Sequence, residues 1–165
     1  MSTTENLKTA FAGESQANRR YLAFAKKADE EGFPQVARLF RAAAAAETVH
    51  ALAHLRVLGE VKSTAENLQA AVNGENYEAT TMYPDFLKEA EAAGERKAIN
   101  TFSNALAVEK VHEELYRSAQ ETLQNRQEEL YEYYVCPVCG FTHKRSAADR
   151  CPVCATSGSR FEKIS

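Results

Sequence analysis

Two short motifs carry most of the chemistry in this chain. Glu47-Thr48-Val49-His50 and Glu109-Lys110-Val111-His112 each place a carboxylate and an imidazole three residues apart. On a helix that spacing puts both groups on one face, one turn apart, where they can meet one metal layer. A single Glu-x-x-His is usually solvated. Two of them at matched depth point to a shared site, and oxygen plus imidazole donors suit iron or manganese better than calcium or copper. The other constellation is Cys136-Pro137-Val138-Cys139, then eleven residues, then Cys151-Pro152-Val153-Cys154. Four thiolates on two turns make a tetrahedral site for zinc or for one iron, and the residues alone leave both open. Zinc would only hold the tail together, whereas thiolate-bound iron would add a one-electron redox centre.

These motifs need helices to position them, and an internal repeat supplies the register. Aligned on Gly32 and Gly94, both halves of residues 3–130 carry Tyr eleven residues before the glycine (Tyr21, Tyr83) and Phe eight after (Phe40, Phe102). The Glu falls fifteen after (Glu47, Glu109) and the His eighteen after (His50, His112). Two amphipathic hairpins of equal length would not by themselves require the same Glu and His. At the same depth the first helix offers Glu14, eighteen before Gly32, and the third offers Glu75 and Glu78, nineteen and sixteen before Gly94. The one-residue offset between Glu14 and Glu75 predicts a π-bulge or kink in the third helix, which Gly74 and Pro84 also interrupt. Burying Glu14 beside Phe11, Ala12 and Ala17 without a cation would be costly, and clustered carboxylates repel unless a metal neutralises them. Tyr21 and Tyr83 read as core aromatics that could also hydrogen-bond near the metal layer.

The helices themselves follow from Ala, Glu, Leu, Lys, Arg and Gln, which dominate residues 3–130. Ser2 with Glu5 predicts a capping box and a first helix from Thr3 to Gly32. Pro34 opens a second helix that ends at Leu58. Ser63 or Thr64 caps a third that reaches Ala93, and a fourth runs from about Glu95 to about Glu129. This is an all-α four-helix bundle over residues 1–131. Residues 132–165 form a small β-rich metal-binding domain, entered by a strand where Tyr131, Tyr133 and Val135 alternate with polar positions. A tail this small needs a metal or disulfides to fold.

The 165 residues include 23 acidic and 20 basic side chains, so no net positive charge draws the chain to nucleic acid. No apolar run spans a membrane, and the polar start does not read as a leader peptide. With all four cysteines in metal spacing, the expected compartment is the cytoplasm.

Together these motifs make the chain resemble the rubrerythrins over essentially its whole length. The resemblance is carried by Ala12-Gly13-Glu14-Ser15-Gln16-Ala17, Glu47-x-x-His50, Gly74-Glu75-Asn76-Tyr77-Glu78, Met82-Tyr83-Pro84, Glu109-x-x-His112 and the two Cys pairs. It implies a ferritin-like bundle with two non-haem irons, followed by a rubredoxin-like domain with one iron on Cys136, Cys139, Cys151 and Cys154. It further implies that Glu47 and Glu109 bridge the irons, that Glu14 and Glu75 are further ligands, and that His112 is a terminal ligand. His50 and Glu78 would exchange as ligands between the reduced and oxidised states. The implied activity is a peroxidase of oxidative-stress defence that reduces hydrogen peroxide to water. Its electrons would come from an NAD(P)H-dependent reductase or a rubredoxin through the four-cysteine iron. An iron-storage or ferroxidase role for the same bundle is the alternative, and a dedicated electron-entry site argues against it. The implied assembly is a homodimer, with domain swapping left open. A 30-residue tail is expected not to reach the middle of its own bundle, so electrons would arrive from the partner chain.

Overall fold

The computed structural model describes residues 2–127 and 129–165. Helix α1 (Thr3–Glu30) begins at the expected capping box, with Ser2 and Glu5 each accepting from the other's backbone N–H. Helix α2 (Pro34–Val57) packs along α1 to close a hairpin. Its core is built from alanine: Ala25, Ala28 and Ala37 are buried against Phe40. Small side chains let the two backbones approach closely. Asn18 then ties the helices together, donating to the Ala44 carbonyl at 2.7 Å and the Thr48 hydroxyl at 2.8 Å.

The second hairpin starts at α3 (Thr64–Tyr77), again with a capping box, Ser63 and Glu66. A π-helical turn (Glu78–Met82) follows, and then α4 (Tyr83–Ala93). The expected irregularity is therefore a π-turn within a continuous rod. Its signature is the Tyr83 N–H donating five residues back to the Glu78 carbonyl. The wider turn accommodates Pro84, which has no N–H to give and would crowd an ordinary α-turn. Gly94 takes a left-handed φ of 72° and ends the rod. Helix α5 (Arg96–Asn125) returns along α3 and α4. It stops short of the expected Glu129, at a left-handed Arg126. Residues 124–129 are all polar, so extending the helix would bury no apolar face.

The tail is a three-stranded antiparallel sheet of β1 (Tyr133–Val135), β2 (Thr142–Lys144) and β3 (Glu162–Ile164), in the order β2-β1-β3. The expected architecture, all-α followed by a small β-rich domain, is the observed one. Each Cys pair forms the same knuckle. Gly140 N–H donates to the Cys136 carbonyl and Ala155 N–H to the Cys151 carbonyl, both at 2.9 Å. This turn needs positive φ after the second Cys, 85° at Gly140 and 59° at Ala155. Gly140 adopts it freely, while Ala155 does so at a cost of about 1–2 kcal/mol.

Compactness divides the chain into Met1–Lys62 and Ser63–Ser165. The tail therefore belongs to the same unit as the second hairpin. Val108 of α5 is buried in one cluster with Cys136, Phe141 and Cys151. The expectation that the tail could not reach the middle of its own helices is thus corrected. The α5–sheet contact brings the first knuckle onto α5 one turn from His112.

Candidate metal centres

The structure gathers the sequence motifs into three groups. In the first hairpin, Glu14 of α1 meets Glu47 and His50 of α2, with donor atoms all within 4.8 Å of one another. His50 Nδ1 lies 3.0 Å from Glu47 Oε2. In the second, Glu75 of α3 meets Glu109 and His112 of α5 within the same limit. His112 Nδ1 lies 2.9 Å from Glu109 Oε2 and 3.8 Å from Glu75 Oε2. Glu78, on the π-turn, stays outside this cluster. Burial and the Glu109 charge nevertheless raise its carboxyl above the usual range, and His112 opposes that rise.

The two histidines differ in their surroundings. The His50 side chain is 55 % exposed, whereas that of His112 is 28 % exposed. His112 Nε2 lies 3.0 Å from the Thr142 hydroxyl of β2. That hydroxyl donates its single proton to the Gly140 carbonyl at 3.1 Å. No such partner meets His50 Nε2 among the described residues. Thr142 gave no signal in the sequence, because its contact with His112 joins positions thirty apart.

The aromatics pack as a repeated pair. Tyr21 lies against Phe24 and Phe40, and Tyr83 against Phe86 and Phe102. Burial pushes the Tyr83 phenol up, and Glu109, Glu78 and Glu75 push it further, so it stays protonated. No hydrogen bond joins either tyrosine hydroxyl to a carboxylate among the described residues. Behind Glu75, Asn76 donates to Glu113 at 3.2 Å, and Arg117 pairs with the same carboxylate at 2.6 Å. A cavity of about 290 Å³, lined by Leu68, His112, Leu115, Tyr116, Tyr133 and Thr142 among others, opens beside the second cluster.

The donor sets fit metal ions. Burial, a hydrogen bond shared with Glu109, and the charges of Glu109, Glu78 and Glu113 push the Glu75 carboxyl up to about 7. That is the penalty a cation would remove. Thr142 Oγ1 can accept from His112 Nε2 while it donates to the Gly140 carbonyl. That leaves Nδ1 as the His112 nitrogen that faces the two carboxylates, where a metal ligand would sit.

The four thiols are also arranged for an ion. The Cys136–Cys154 and Cys139–Cys151 Sγ distances are 3.6 and 3.4 Å. These are too long for a disulfide and close to the edge of about 3.8 Å of a tetrahedron with metal–sulfur bonds of about 2.3 Å. Burial pushes the Cys139 and Cys151 thiols up. The Thr156 hydroxyl, 3.0 Å from Cys154 Sγ, holds that thiol down at about 6.

One consequence is a pH dependence. Folded, metal-free protein keeps a proton on Glu75 that the unfolded chain, with an ordinary value near 4.5, releases. The stability of the metal-free protein is therefore expected to fall as pH rises from about 4.5 to about 7. Metal loading replaces that proton and should remove the fall. Urea unfolding at pH 5, 6 and 7, with and without metal, checks this; a metal-free stability that rises over the range contradicts it.

Two carboxylate–histidine clusters on long helices, followed in the chain by a four-cysteine domain, define the class of ferritin-like di-iron proteins that carry a rubredoxin-like module. The rubrerythrin family model matches residues 5–120, and the model of the rubrerythrin rubredoxin-like domain matches residues 134–162. The chain belongs to the rubrerythrin family. Nigerythrin of Nitratidesulfovibrio vulgaris is 38 % identical over 93 % of this chain and 82 % of its own. Rubrerythrin-2 of Clostridium acetobutylicum is 35 % identical over 97 % of this chain and 95 % of its own. A solved structure of nigerythrin in the fully reduced, all-ferrous state matches with a TM-score of 0.61 at 36 % identity. It covers 99 % of this chain and 87 % of that one. The cofactors are accordingly a di-iron site in the ferritin-like domain and a metal on Cys136, Cys139, Cys151 and Cys154. The protein is an oxidoreductase of a family associated with oxidative-stress defence. No described helix is long and apolar enough to cross a membrane.

Proposed function

We propose that the protein reduces hydrogen peroxide to two waters, with two electrons entering one at a time through the four-cysteine centre. The observation that carries this reading is the seating of that centre on α5, where Val108 joins its core and Thr142 meets His112. A structural zinc knuckle has no need to touch a neighbouring redox ligand. Bound iron would supply the electrons that cleave the O–O bond.

The chain's own residues supply the remainder. Glu14, Glu47, His50, Glu75, Glu78, Glu109 and His112 are the residues that would hold the iron. Cleavage consumes two protons. Tyr83, held protonated by burial and by the charges of Glu109, Glu78 and Glu75, would serve as a hydrogen-bond donor there. The small cavity beside His112 suits a small oxidant. His50, more exposed and held only through Nδ1, and Glu78, carried on the π-turn outside its cluster, would be the ligands that differ between the reduced and oxidised states. A carboxylate such as Glu78 would stabilise a more highly charged, oxidised centre better than an imidazole ligand would.

The electron donor to the four-cysteine centre is proposed to be an NAD(P)H-dependent reductase or a rubredoxin. The four free thiols support a cytoplasmic setting. Exposed apolar side chains on the first hairpin, Val36, Leu39, Val49 and Val57 among them, support a homodimer.

Anaerobically reduced protein, carrying about three irons per chain, should be oxidised faster by peroxide than by dioxygen in stopped-flow mixing. Faster oxidation by dioxygen, with iron accumulating in the protein, would favour a ferroxidase role instead. Glu78→Ala should keep its iron and lose peroxide turnover by roughly 10–100-fold, the range for a group that tunes a metal site. Unchanged turnover removes Glu78 from the mechanism.

A further inference from the structure

We infer that Thr142 of the four-cysteine domain is a positioning residue for His112, so that the loaded tail completes the metal site on α5. A threonine hydroxyl has one proton, and that of Thr142 goes to the Gly140 carbonyl at 3.1 Å. Its oxygen also lies 3.0 Å from His112 Nε2, and an ion held on Nδ1 would leave the ring's proton on Nε2, where the hydroxyl can accept it. Donation through Nε2 fixes the ring plane and leaves Nδ1 as the nitrogen that faces Glu109 and Glu75, at 2.9 and 3.8 Å. Outer partners of this kind orient a ligating histidine and raise its basicity.

The hydroxyl is itself held by the knuckle. Gly140 follows Cys139, and its N–H is bonded to the Cys136 carbonyl at 2.9 Å. The chain of contacts therefore runs from two thiolate ligands through Gly140 and Thr142 to His112. The four-cysteine domain folds around its metal, so the position of Thr142 depends on that metal being bound. The two halves of the internal repeat part here, because His50 Nε2 has no equivalent partner among the described residues. One histidine meets the four-cysteine domain through Nε2, and the other is held through Nδ1 alone.

The test is an anaerobic ferrous-iron titration of full-length Thr142→Val, in which a methyl group replaces the hydroxyl at nearly constant volume. Iron affinity of the helical domain should weaken about 10–100-fold, as for other lost outer partners. The four-thiolate absorbance should be unchanged, and Thr142→Ser should restore wild-type affinity within a few-fold. A Thr142→Val protein that binds iron like wild type, or a Thr142→Ser protein as weak as the valine variant, overturns the inference. A second measurement needs no variant. In the zinc-loaded wild type, the His112 Nε2–H should appear in proton–nitrogen NMR as a slowly exchanging signal. Exchange as fast as that of His50 overturns the inference as well.

The inference rests on the metal-holding role proposed for His112, not on the peroxide chemistry. Wild-type protein that binds iron yet ignores peroxide would end the peroxidase reading and leave this one standing. Wild-type protein whose helical domain binds no iron would end both.

Discussion

Replacing Glu109 with alanine is expected to abolish both iron binding in the helical domain and peroxide reduction. Glu109 makes the shortest contact to the His112 nitrogen that faces the cluster, 2.9 Å, and its side chain is only 15 % exposed. Removing an outer hydrogen-bond partner of a metal site costs about 10–100-fold in affinity, and removing a ligand should cost more than that. The same substitution should have the opposite effect on the metal-free protein. Glu109 is the hydrogen-bond partner and the first-ranked charge that keep the Glu75 proton on, after burial itself. Without it the Glu75 carboxyl falls toward its ordinary range. Metal-free Glu109→Ala should then be at least as stable as wild type at pH 7, and the fall in stability between pH 5 and 7 should shrink. Iron content, stopped-flow peroxide oxidation and urea unfolding read these effects separately. A variant that retains two irons in its helical domain removes Glu109 from the ligand set.

Replacing Cys136 with serine is expected to empty the tail and stop turnover driven by a reductase. Cys136 is 1 % exposed and shares a cluster with Val108, Phe141 and Cys151, so the lost ligand also sits in the tail's apolar core. Structural tetrahedral sites contribute about 10–16 kcal/mol of apparent binding energy, far more than a sheet of three three-residue strands can replace. The visible absorbance of thiolate-bound iron should disappear together with donor-linked turnover. With excess ferrous iron to offset a weaker helical site, a single oxidation by peroxide should survive. If donor-linked turnover survives as well, electrons do not enter through the tail.

The local elements were legible because their causes are local. Ser2 with Glu5 and Ser63 with Glu66 announce helix starts through contacts three residues long, and both capping boxes form. Glu47 with His50 and Glu109 with His112 share a face because helical geometry requires it, and both pairs lie within 3.0 Å. The repeat about Gly32 and Gly94 placed Glu14 and Glu75 opposite them, and the offset of Glu75 became the π-turn at Glu78–Met82. The two Cys pairs foretold a closed tetrahedral site through their spacing alone. The end of α5 was misplaced by four residues because helix formers continue past Asn125, although nothing there has an apolar face to bury.

The sequence by itself determined which residues could bind metal, on which helices, and in what register, since each of those facts follows from a period of three or four residues. Only the tertiary structure decided where the tail rests and what it touches. The Val108 cluster and the hydrogen bond from His112 to Thr142 join residues about thirty apart, and no periodic pattern encodes such a meeting. It depends on the knuckle's turn at Gly140, whose N–H meets the Cys136 carbonyl. The same holds for the Glu75 proton, whose hold comes from burial and from carboxylates on a neighbouring helix. Ligand identity is thus a property of the helix, while ligand orientation and charge state arise only once the helices and the tail have packed.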